Sequence, residues 1–367
     1  MASIHGSILT HTNTPIPTTK FPTSTPPTMH RLLSILTSGL LFTQGIESKP
    51  INPPADTRVT QLFEYPDSTF IENLHHHPNG QDILITTLAN SNLVSVDVHA
   101  AKPTAKVVAT LAGSTTLTGI SPLGDSDAGL FAVSGGVFLA ETISFVPGSV
   151  NVYVVSIPVP VHGHGAEAEA ATVLDTINFA NTTMLNGMAT LPRRPYTILS
   201  ADSIGGRILR VDTRTRKTSV AFADPALVAP NISSVPLGVN GLKIRGGYLY
   251  FTNSAQGTFA RVPIDDEGNK IGGVDIIARV PGPASFGNLY DDFDIDHRGN
   301  AYAARQSDFI DRITPRGVRS TVASGTTVIR RPTSVLLARD GKSIYVSTAG
   351  NVVDDVSYGG QILNISI

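Results

Sequence analysis

The chain has no cysteine and no tryptophan, and it is poor in aromatic and charged residues. Of its 367 residues, 6% are aromatic and 15% are charged. The lack of cysteine excludes disulfide bonds, thiolate metal sites and a cysteine nucleophile. A formal net charge of −2 leaves no basic stripe for a phosphate backbone, so nucleic acid is not an expected partner. The sequence also lacks a G-x-S-x-G elbow, a phosphate-binding glycine loop and an H-E-x-x-H helix, which argues against serine hydrolases, P-loop proteins and zincins.

Short apolar runs recur along the chain with a period of roughly 45–50 residues, the spacing of β-propeller blades. Glycine and proline, with 33 and 25 residues, supply the many tight turns that such a fold needs. Because the first strand of each blade lines the axis of a propeller, we expect the start of each unit to face a central channel. Six such openings are Glu72-Asn73-Leu74, Thr118-Gly119-Ile120, Asn186-Gly187-Met188, Asn240-Gly241-Leu242, Asp291-Asp292-Phe293 and Thr333-Ser334-Val335.

The sequence predicts an all-β protein, a single six-bladed β-propeller over residues 57–367 with few and short helices. Outer strands precede the three-strand units, over residues 58–63, 106–111, 171–177, 218–223, 274–280 and 319–323. We expect strand 58–63 to complete the last blade, because closure leaves no open seam between the first and last blades. Hairpin turns between first and second strands are indicated by Asn79-Gly80, Gly246-Gly247, Arg298-Gly299-Asn300 and Asp340-Gly341.

Residues 1–50 are a separate N-terminal segment, either a leader or a disordered tail. A basic stretch, Met29-His30-Arg31, precedes an apolar run over residues 32–42. Residues 29–48 thus resemble a secretory signal peptide, and the run is too short for a stable membrane span. If the segment acts as a signal peptide, the protein enters the secretory pathway, and otherwise it is cytoplasmic. Secretion would agree with three glycosylation sequons, at Asn181, Asn231 and Asn364.

Four of the openings carry acidic or amide side chains in an order that resembles a known group of proteins. In the first, third, fourth and fifth units these residues are Glu72, Asn186, Asn240 and Asp291. The pattern resembles the six-bladed propellers of the senescence-marker-protein, gluconolactonase and paraoxonase-like superfamily. The resemblance implies that the four side chains surround one divalent cation, Ca²⁺ or another. The chain departs from that pattern in having Asn73 after Glu72 and Asp292 after Asp291.

The sequences of two units resemble more closely a fungal branch of these propellers. The stretches are Phe70-Ile71-Glu72-Asn73-Leu74, and Asn240-Gly241-Leu242 with Tyr250-Phe251-Thr252-Asn253-Ser254. Some members of that branch are hetero-Diels-Alderases of tropolone-sesquiterpene biosynthesis. The resemblance implies a cyclase that dehydrates a polyketide-derived alcohol to a reactive heterodiene and guides its cycloaddition to a terpene alkene. Its small-molecule partners would be an apolar polyketide and a terpene, and it would require no cofactor.

Acidic residues expected in the channel are the candidate catalytic groups. Such a cyclase needs an apolar cavity that orients both reactants and an acid that helps water leave. A carboxyl in an apolar channel, or beside another carboxyl, has a raised pKa and suits this role. The catalytic candidates are Glu72, Asp202, Asp291 and Asp292, with Asp294 as a further acid, and the substrate-binding candidates are Asn73, Asn186, Asn240 and Asn253. Alternatively, the Asn and Asp residues at the starts of the inner strands cap loops or make water-mediated contacts in the channel, and Asp294 and Asp296 lie on a solvated or blade-packing face.

A divalent-metal-dependent lactonase, similar to gluconolactonase, is the alternative function. The metal ligands would be Glu72, Asn186, Asn240 and Asp291; the cation would polarise the ester carbonyl while a carboxylate activates water. A propeller that only binds a ligand or protein is a third class, which large exposed apolar rims would indicate. Among the histidines, the triplet His75-His76-His77 is expected to face solvent, and His162 and His164 are expected in a flexible loop.

Overall fold

The chain forms six four-stranded antiparallel sheets arranged in a ring. The computed structural model describes residues 58–124, 129–158, 171–325 and 328–367. The innermost strands of neighbouring sheets contact each other all the way round, from the first blade to the sixth and back to the first. This arrangement confirms the predicted six-bladed β-propeller.

The first three blades follow one another along the chain, and each runs from the axis outward. The first blade contains β2 (Ile71–His76), β3 (Asp82–Thr87), β4 (Asn92–Asp97) and β5 (Ala105–Thr110). The second contains β6 (Thr116–Leu123), β7 (Leu130–Gly136), β10 (Val150–Ser156) and β11 (Thr172–Phe179). The third contains β12 (Leu185–Leu191), β13 (Arg194–Asp202), β14 (Arg207–Asp212) and β15 (Lys217–Ala223).

The sixth blade is built from both ends of the described chain. The fourth blade contains β16 (Val239–Arg245), β17 (Tyr248–Asn253), β18 (Thr258–Pro263) and β19 (Asp275–Arg279). The fifth contains β20 (Tyr290–Ile295), β21 (Ala301–Arg305), β22 (Phe309–Ile313) and β23 (Arg319–Ser324). The sixth contains β24 (Pro332–Leu337), β25 (Ser343–Thr348), β28 (Gln361–Ser366) and β1 (Val59–Glu64). Because β1 pairs with β28, the predicted closure by the first strand is confirmed.

Two small hairpins and one helical turn decorate the ring. The hairpins pair β8 (Phe138–Leu139) with β9 (Ser144–Phe145), and β26 (Asn351–Val353) with β27 (Val356–Tyr358). Within the described ranges the only helix is a 3-10 turn at Pro225–Leu227, as expected. The described residues contain no helix that is long and apolar enough to cross a membrane. The N-terminal segment 1–50, its signal-like part 29–48, and His162 and His164 lie outside the described residues.

Six of the seven apolar clusters of the core lie one between each pair of neighbouring blades, and the small seventh cluster contains Val235, Ala255 and Leu289. Strand β3 shows how the sequence builds them. Ile83 and Ile85 pack into the cluster shared with the sixth blade, whereas Leu84 packs into the cluster shared with the second blade. Successive side chains of a strand point to opposite faces, so an unbroken apolar run serves two clusters at once.

The inner strands approach each other closely at the axis, where glycine is required. A Cβ placed on Gly187 would lie 2.5 Å from the carbonyl oxygen of Asn240 and 2.8 Å from Gly241 Cα. Both atoms belong to the backbone of the next blade and cannot rotate away. The Asn-Gly pairs at the openings therefore let the blades meet, in addition to placing an amide at the axis.

We predict that Gly187→Ala destabilises the propeller by about 2–4 kcal/mol, because overpacking against backbone forces neighbouring blades apart. Urea denaturation of the purified variant measures the change. Gly273→Ala is the matched control, since a Cβ at Gly273 meets no atom within 4 Å, and it should change the free energy of unfolding by less than about 0.5 kcal/mol. Equal stability of the two variants would show that the axial approach is not tight.

Candidate functional site

Every inner strand carries a register shift close to its first residues. In β2 the shift lies between Ile71 and Asn73, and equivalent shifts occur in β6, β12, β16, β20 and β24. Such a bulge leaves a residue out of the ladder and re-aims its side chain. Six residues at these shifts, all predicted channel openings, are Glu72, Thr118, Asn186, Asn240, Asp291 and Thr333.

Two of these six residues tie neighbouring blades together. The Thr118 hydroxyl donates a hydrogen bond of 2.8 Å to the carbonyl of Leu185 in the third blade. The Thr333 hydroxyl likewise donates one of 2.7 Å to the carbonyl of Ile71 in the first blade. These threonines therefore have a structural role at the axis.

The other four residues line one cavity, at the end of the axis where the inner strands begin. The structure brings together Glu72, Asn186, Asn240 and Asp291, the set predicted to converge. The rest of the lining is mainly apolar, and it includes Phe70, Leu88, Phe138, Ile143, Met184, Val235, Leu237, Phe286 and Leu289. The space free of atoms is about 750 Å³ when the open solvent at the mouth is included.

Two carboxyl groups, Glu72 and Asp291, are buried in this cavity. Burial raises the pKa of Glu72 to about 7, and the nearby charge of Asp292 adds to the increase, while the Asn186 side chain opposes it. Burial also raises the pKa of Asp291 well above its usual value, and the charges of Glu72 and Asp292 act in the same direction. A carboxyl with a pKa near 7, as for Glu72, exchanges protons near neutrality, as a general acid or base must.

Amide side chains hold Asp291 in place. Asn240 Nδ2 donates hydrogen bonds of 2.8 Å to Asp291 Oδ1 and 3.0 Å to Ser254 Oγ. Gln306 Nε2 donates to Asp291 Oδ2 at 3.4 Å and to the carbonyl of Pro332 at 3.0 Å. The amide oxygens of Asn240 and Gln306 are buried and have no hydrogen-bond partner among the described residues. Two acceptor atoms of the site are therefore available to a ligand or cation.

A polar layer lies one residue further along the inner strands. Asn73 Nδ2 and Ser334 Oγ donate to Asp292 Oδ2 at 3.1 and 3.2 Å. Lys243 Nζ forms an ion pair with Asp292, at 3.0 and 3.1 Å from its two oxygens. Asn73 and Lys243 line a second cavity, at the opposite end of the axis. The structure thus places Asn73 and Asp292 next to the site, but outside the lining of the first cavity.

Two predicted site residues lie away from the channel. Asp202 was expected to face the channel, but it is at the end of β13, where Oδ2 accepts a 2.7 Å hydrogen bond from Arg207 Nε. Asn253 was expected to bind substrate, but its Nδ2 donates to the carbonyls of Ala226 and Val228 at 2.9 and 3.1 Å. The two side chains are occupied by local contacts that position loops.

The expectation that the histidine triplet faces solvent is wrong. His75 and His76 belong to β2, and His77 is 7% exposed. Burial lowers the pKa of His75 to about 4, and its ring packs edge-on against Phe131 at 5.4 Å. The inner strand simply extends further than the turn signal suggested.

Asp294 lies at the far end of the axis, with the second cavity. Its Oδ2 accepts a 2.9 Å hydrogen bond from the backbone nitrogen of Leu337, and burial raises its pKa. The blade-packing alternative therefore describes Asp294 better than a role beside Glu72.

Sequence reasoning missed three polar residues of the first cavity, which are Ser254, Gln306 and Arg331. Ser254 and Gln306 directly follow the second strands β17 and β21. An antiparallel second strand ends where the inner strand begins, so the residue after it lies beside the cavity. That position was a usable signal. Arg331 precedes β24 and had no such signal.

Comparisons with known proteins show the fold. The sequence matches no protein-family profile, and no curated protein matches it. Among solved structures, a luciferin-regenerating enzyme is similar with a TM-score of 0.57 and 16% identity, over 85% of this chain and 95% of that one. The calcium-binding protein regucalcin from Agrobacterium tumefaciens is similar with a TM-score of 0.51 and 14% identity, over 83% and 94% of the two chains.

A third similar structure is a putative glucose dehydrogenase from Thermus thermophilus. Its TM-score is 0.54 at 16% identity, over 84% of this chain and 99% of that one. At such identities the likeness to these three structures shows the fold alone. None of the three is a fungal hetero-Diels-Alderase, so that finer resemblance stays a prediction.

The raised pKa values predict how stability depends on pH. For Glu72 the ordinary value is 4.5 and the folded value is about 7, so the folded state binds more protons between these limits. In cation-free protein the contribution of Glu72 to the free energy of unfolding should therefore be largest below about pH 4.5. This contribution should fall as the pH rises from 4.5 towards 7. A difference of one pKa unit corresponds to about 1.4 kcal/mol.

Glu72→Gln should remove much of this decrease, and the remainder should come from Asp291. Urea denaturation at several pH values between 5 and 8, with a chelator present, measures it. Glu141→Gln, at an exposed position, is the control and should keep the slope of the unmodified protein. The same slope in Glu72→Gln would contradict the prediction.

Proposed function

We propose that the first cavity is the active site of a hydrolase that opens a lactone or a related ester with a bound divalent cation. The observation that carries the proposal is the Asn240 side-chain oxygen, buried among carboxyl groups with no hydrogen-bond partner in the described part of the chain. A buried acceptor without a donor costs free energy. A cation at this point would satisfy it.

The residues present fit a hard cation. Ca²⁺ and Mg²⁺ prefer carboxylate and amide oxygens, which Glu72, Asn186, Asn240 and Asp291 provide from four blades. Within the described ranges no group of three or more His, Asp or Glu side chains is arranged to hold a metal, so the site depends on amide oxygens as well as carboxylates. A nearby positive charge would also favour the ionised forms of both acids.

The chain's own residues would divide the work of ester hydrolysis. When bound, the cation would polarise the ester carbonyl. Hydrogen bonds from Asn240 and Gln306 orient the carboxyl of Asp291. We therefore propose that Asp291 maintains the geometry of the site. Glu72 would act through its ionised carboxylate: it would take a proton from the attacking water and return it to the departing alkoxide oxygen.

A secondary-metabolite cyclase of the hetero-Diels-Alderase type is the second candidate. It is favoured by the apolar walls of the cavity combined with a Glu72 pKa of about 7. The protonated carboxyl would donate to the hydroxyl of a polyketide-derived alcohol as water leaves. The walls would then hold the heterodiene against a terpene alkene, which lowers the entropic barrier. This reaction needs no cation.

Calcium binding tests the hydrolase proposal. We expect isothermal titration calorimetry of chelator-treated, dialysed protein to show one Ca²⁺ site. Asn240→Ala should weaken binding by at least roughly 10-fold, because losing a direct ligand costs no less than losing a residue that supports one. Asn231→Ala, which removes an exposed amide, is the control and should bind Ca²⁺ as tightly as the unmodified protein. Lactone opening should stop with chelator and return with Ca²⁺. Lactone opening that persists in chelator would overturn the metal mechanism, and chelator-resistant cycloaddition would favour the second candidate.

Glu72→Gln and Asp291→Asn should each impair catalysis without unfolding the protein. Both carboxyls lie in the cavity lining, outside the six inter-blade clusters, and the amide replacements are nearly isosteric. Glu72→Gln removes the proton-transfer group and should lower kcat/KM by about 100-fold. Asp291→Asn removes a charged cation ligand and should also lower kcat/KM, and both variants should keep an unchanged circular dichroism spectrum. Full activity in both variants would remove these residues from the site.

A further inference from the structure

Arg331 lies at the mouth of the first cavity, in a constrained backbone conformation. It immediately precedes β24, and its side chain contributes to the cavity lining. Its φ is +57°, a left-handed value that non-glycine residues seldom adopt. Two hydrogen bonds hold it there: its backbone nitrogen donates to Asp308 Oδ1 at 2.8 Å, and its carbonyl accepts from Ala349 N at 2.8 Å. Strained residues held in this way often serve a site.

The guanidinium of Arg331 has no direct acceptor in the described part of the protein. It takes part in none of the ion pairs found there, and its Nη1 is buried without a hydrogen-bond partner. The side chain packs near Phe70, with Cζ 5.9 Å from the ring centroid. Burial lowers the pKa of the Arg331 guanidinium, and the nearby charges of Asp308 and Asp291 oppose that decrease. Arg331 as a whole is half-buried, but a guanidinium nitrogen that is shielded from water and unpaired is costly, so a partner is expected.

The surroundings of Arg331 indicate what that partner is. The β8–β9 hairpin contributes Phe138 and Ile143 to the cavity wall, and Met184, Leu237 and Phe286 extend the apolar surface. A ligand that fits this wall is mainly apolar. A guanidinium makes paired, charge-assisted hydrogen bonds to carboxylate oxygens.

We propose that Arg331 is the residue that recognises the ligand, by binding a carboxylate or another anionic oxygen on a mainly apolar molecule. The inference rests on the proposed function only for the identity of the cavity as the active site. It narrows the substrate to a hydrophobic lactone or ester that carries an acidic oxygen away from the reacting carbonyl.

Binding of two eight-carbon probes to cation-free protein tests this inference without turnover. Octanoate and its uncharged analogue octanamide are titrated at pH 6 in the presence of chelator, and affinity is measured by calorimetry. We expect octanoate to bind more tightly than octanamide, and Arg331→Met to weaken octanoate roughly 10- to 100-fold, the value of a hydrogen bond to a charged group. Octanamide binding should change much less. Arg193→Met, which removes an exposed charge, should leave both affinities unaltered.

The outcomes separate this inference from the hydrolase proposal. If Arg331→Met fails to fold, Arg331→Lys replaces it, and the preference for octanoate should shrink because the planar fork is lost. Equal binding of the two probes by the unmodified protein, or an octanoate preference that survives in Arg331→Met, would overturn the role of Arg331. Absence of Ca²⁺ binding or of lactone opening would overturn the hydrolase and leave the probe result standing.

Discussion

The close approach of six inner strands at the axis is the constraint on which the rest of the structure depends. Each strand has a bulge at the same level, and glycines such as Gly187 allow the backbone of the next blade to come within contact. Hydroxyl groups then bridge the blades, as Thr118 does with Leu185. Residues far apart in the chain are thereby held in one plane. Glu72 and Asp291 can only become neighbours because this ring closes.

The site combines groups that are unfavourable when buried alone. Two carboxyls lose hydration in an apolar cavity, and their raised pKa values measure that loss. The ion pair of Lys243 with Asp292 compensates a third acid one layer away. Asn240, Gln306 and Arg331 each retain a polar atom without a partner among the described residues. Such incomplete bonding is rare in protein interiors. Three of the nine such atoms in the described residues lie in this one cavity, beside two buried carboxyls, and this combination is the main structural reason to regard the cavity as functional.

The six blades could be predicted from the sequence, and the bounds of their outer strands to within two residues. The site could be predicted only in part. Repeated apolar runs and turn pairs specify blades because each strand must bury both faces, as Ile83 and Leu84 do. The site residues at the bulges could be predicted because they lie at the start of each repeat. Asp202 and Asn253 have the same chemistry as the site residues, but they hydrogen-bond to Arg207 and to a loop. Arg331 enters the cavity through a left-handed turn, which no periodicity signals.

Pairing of β1 with β28 also has a consequence for the order of events during synthesis. The sixth blade cannot be completed until β28 has left the ribosome, although β1 emerges among the first strands. Until then the nascent chain is an open arc of blades, and its first member exposes the apolar face that contains Ile71, Ile83 and Ile85. A growing chain in this state is a natural client for chaperones. The amide and carboxyl groups at the axis acquire their final neighbours only when this last seam is sealed.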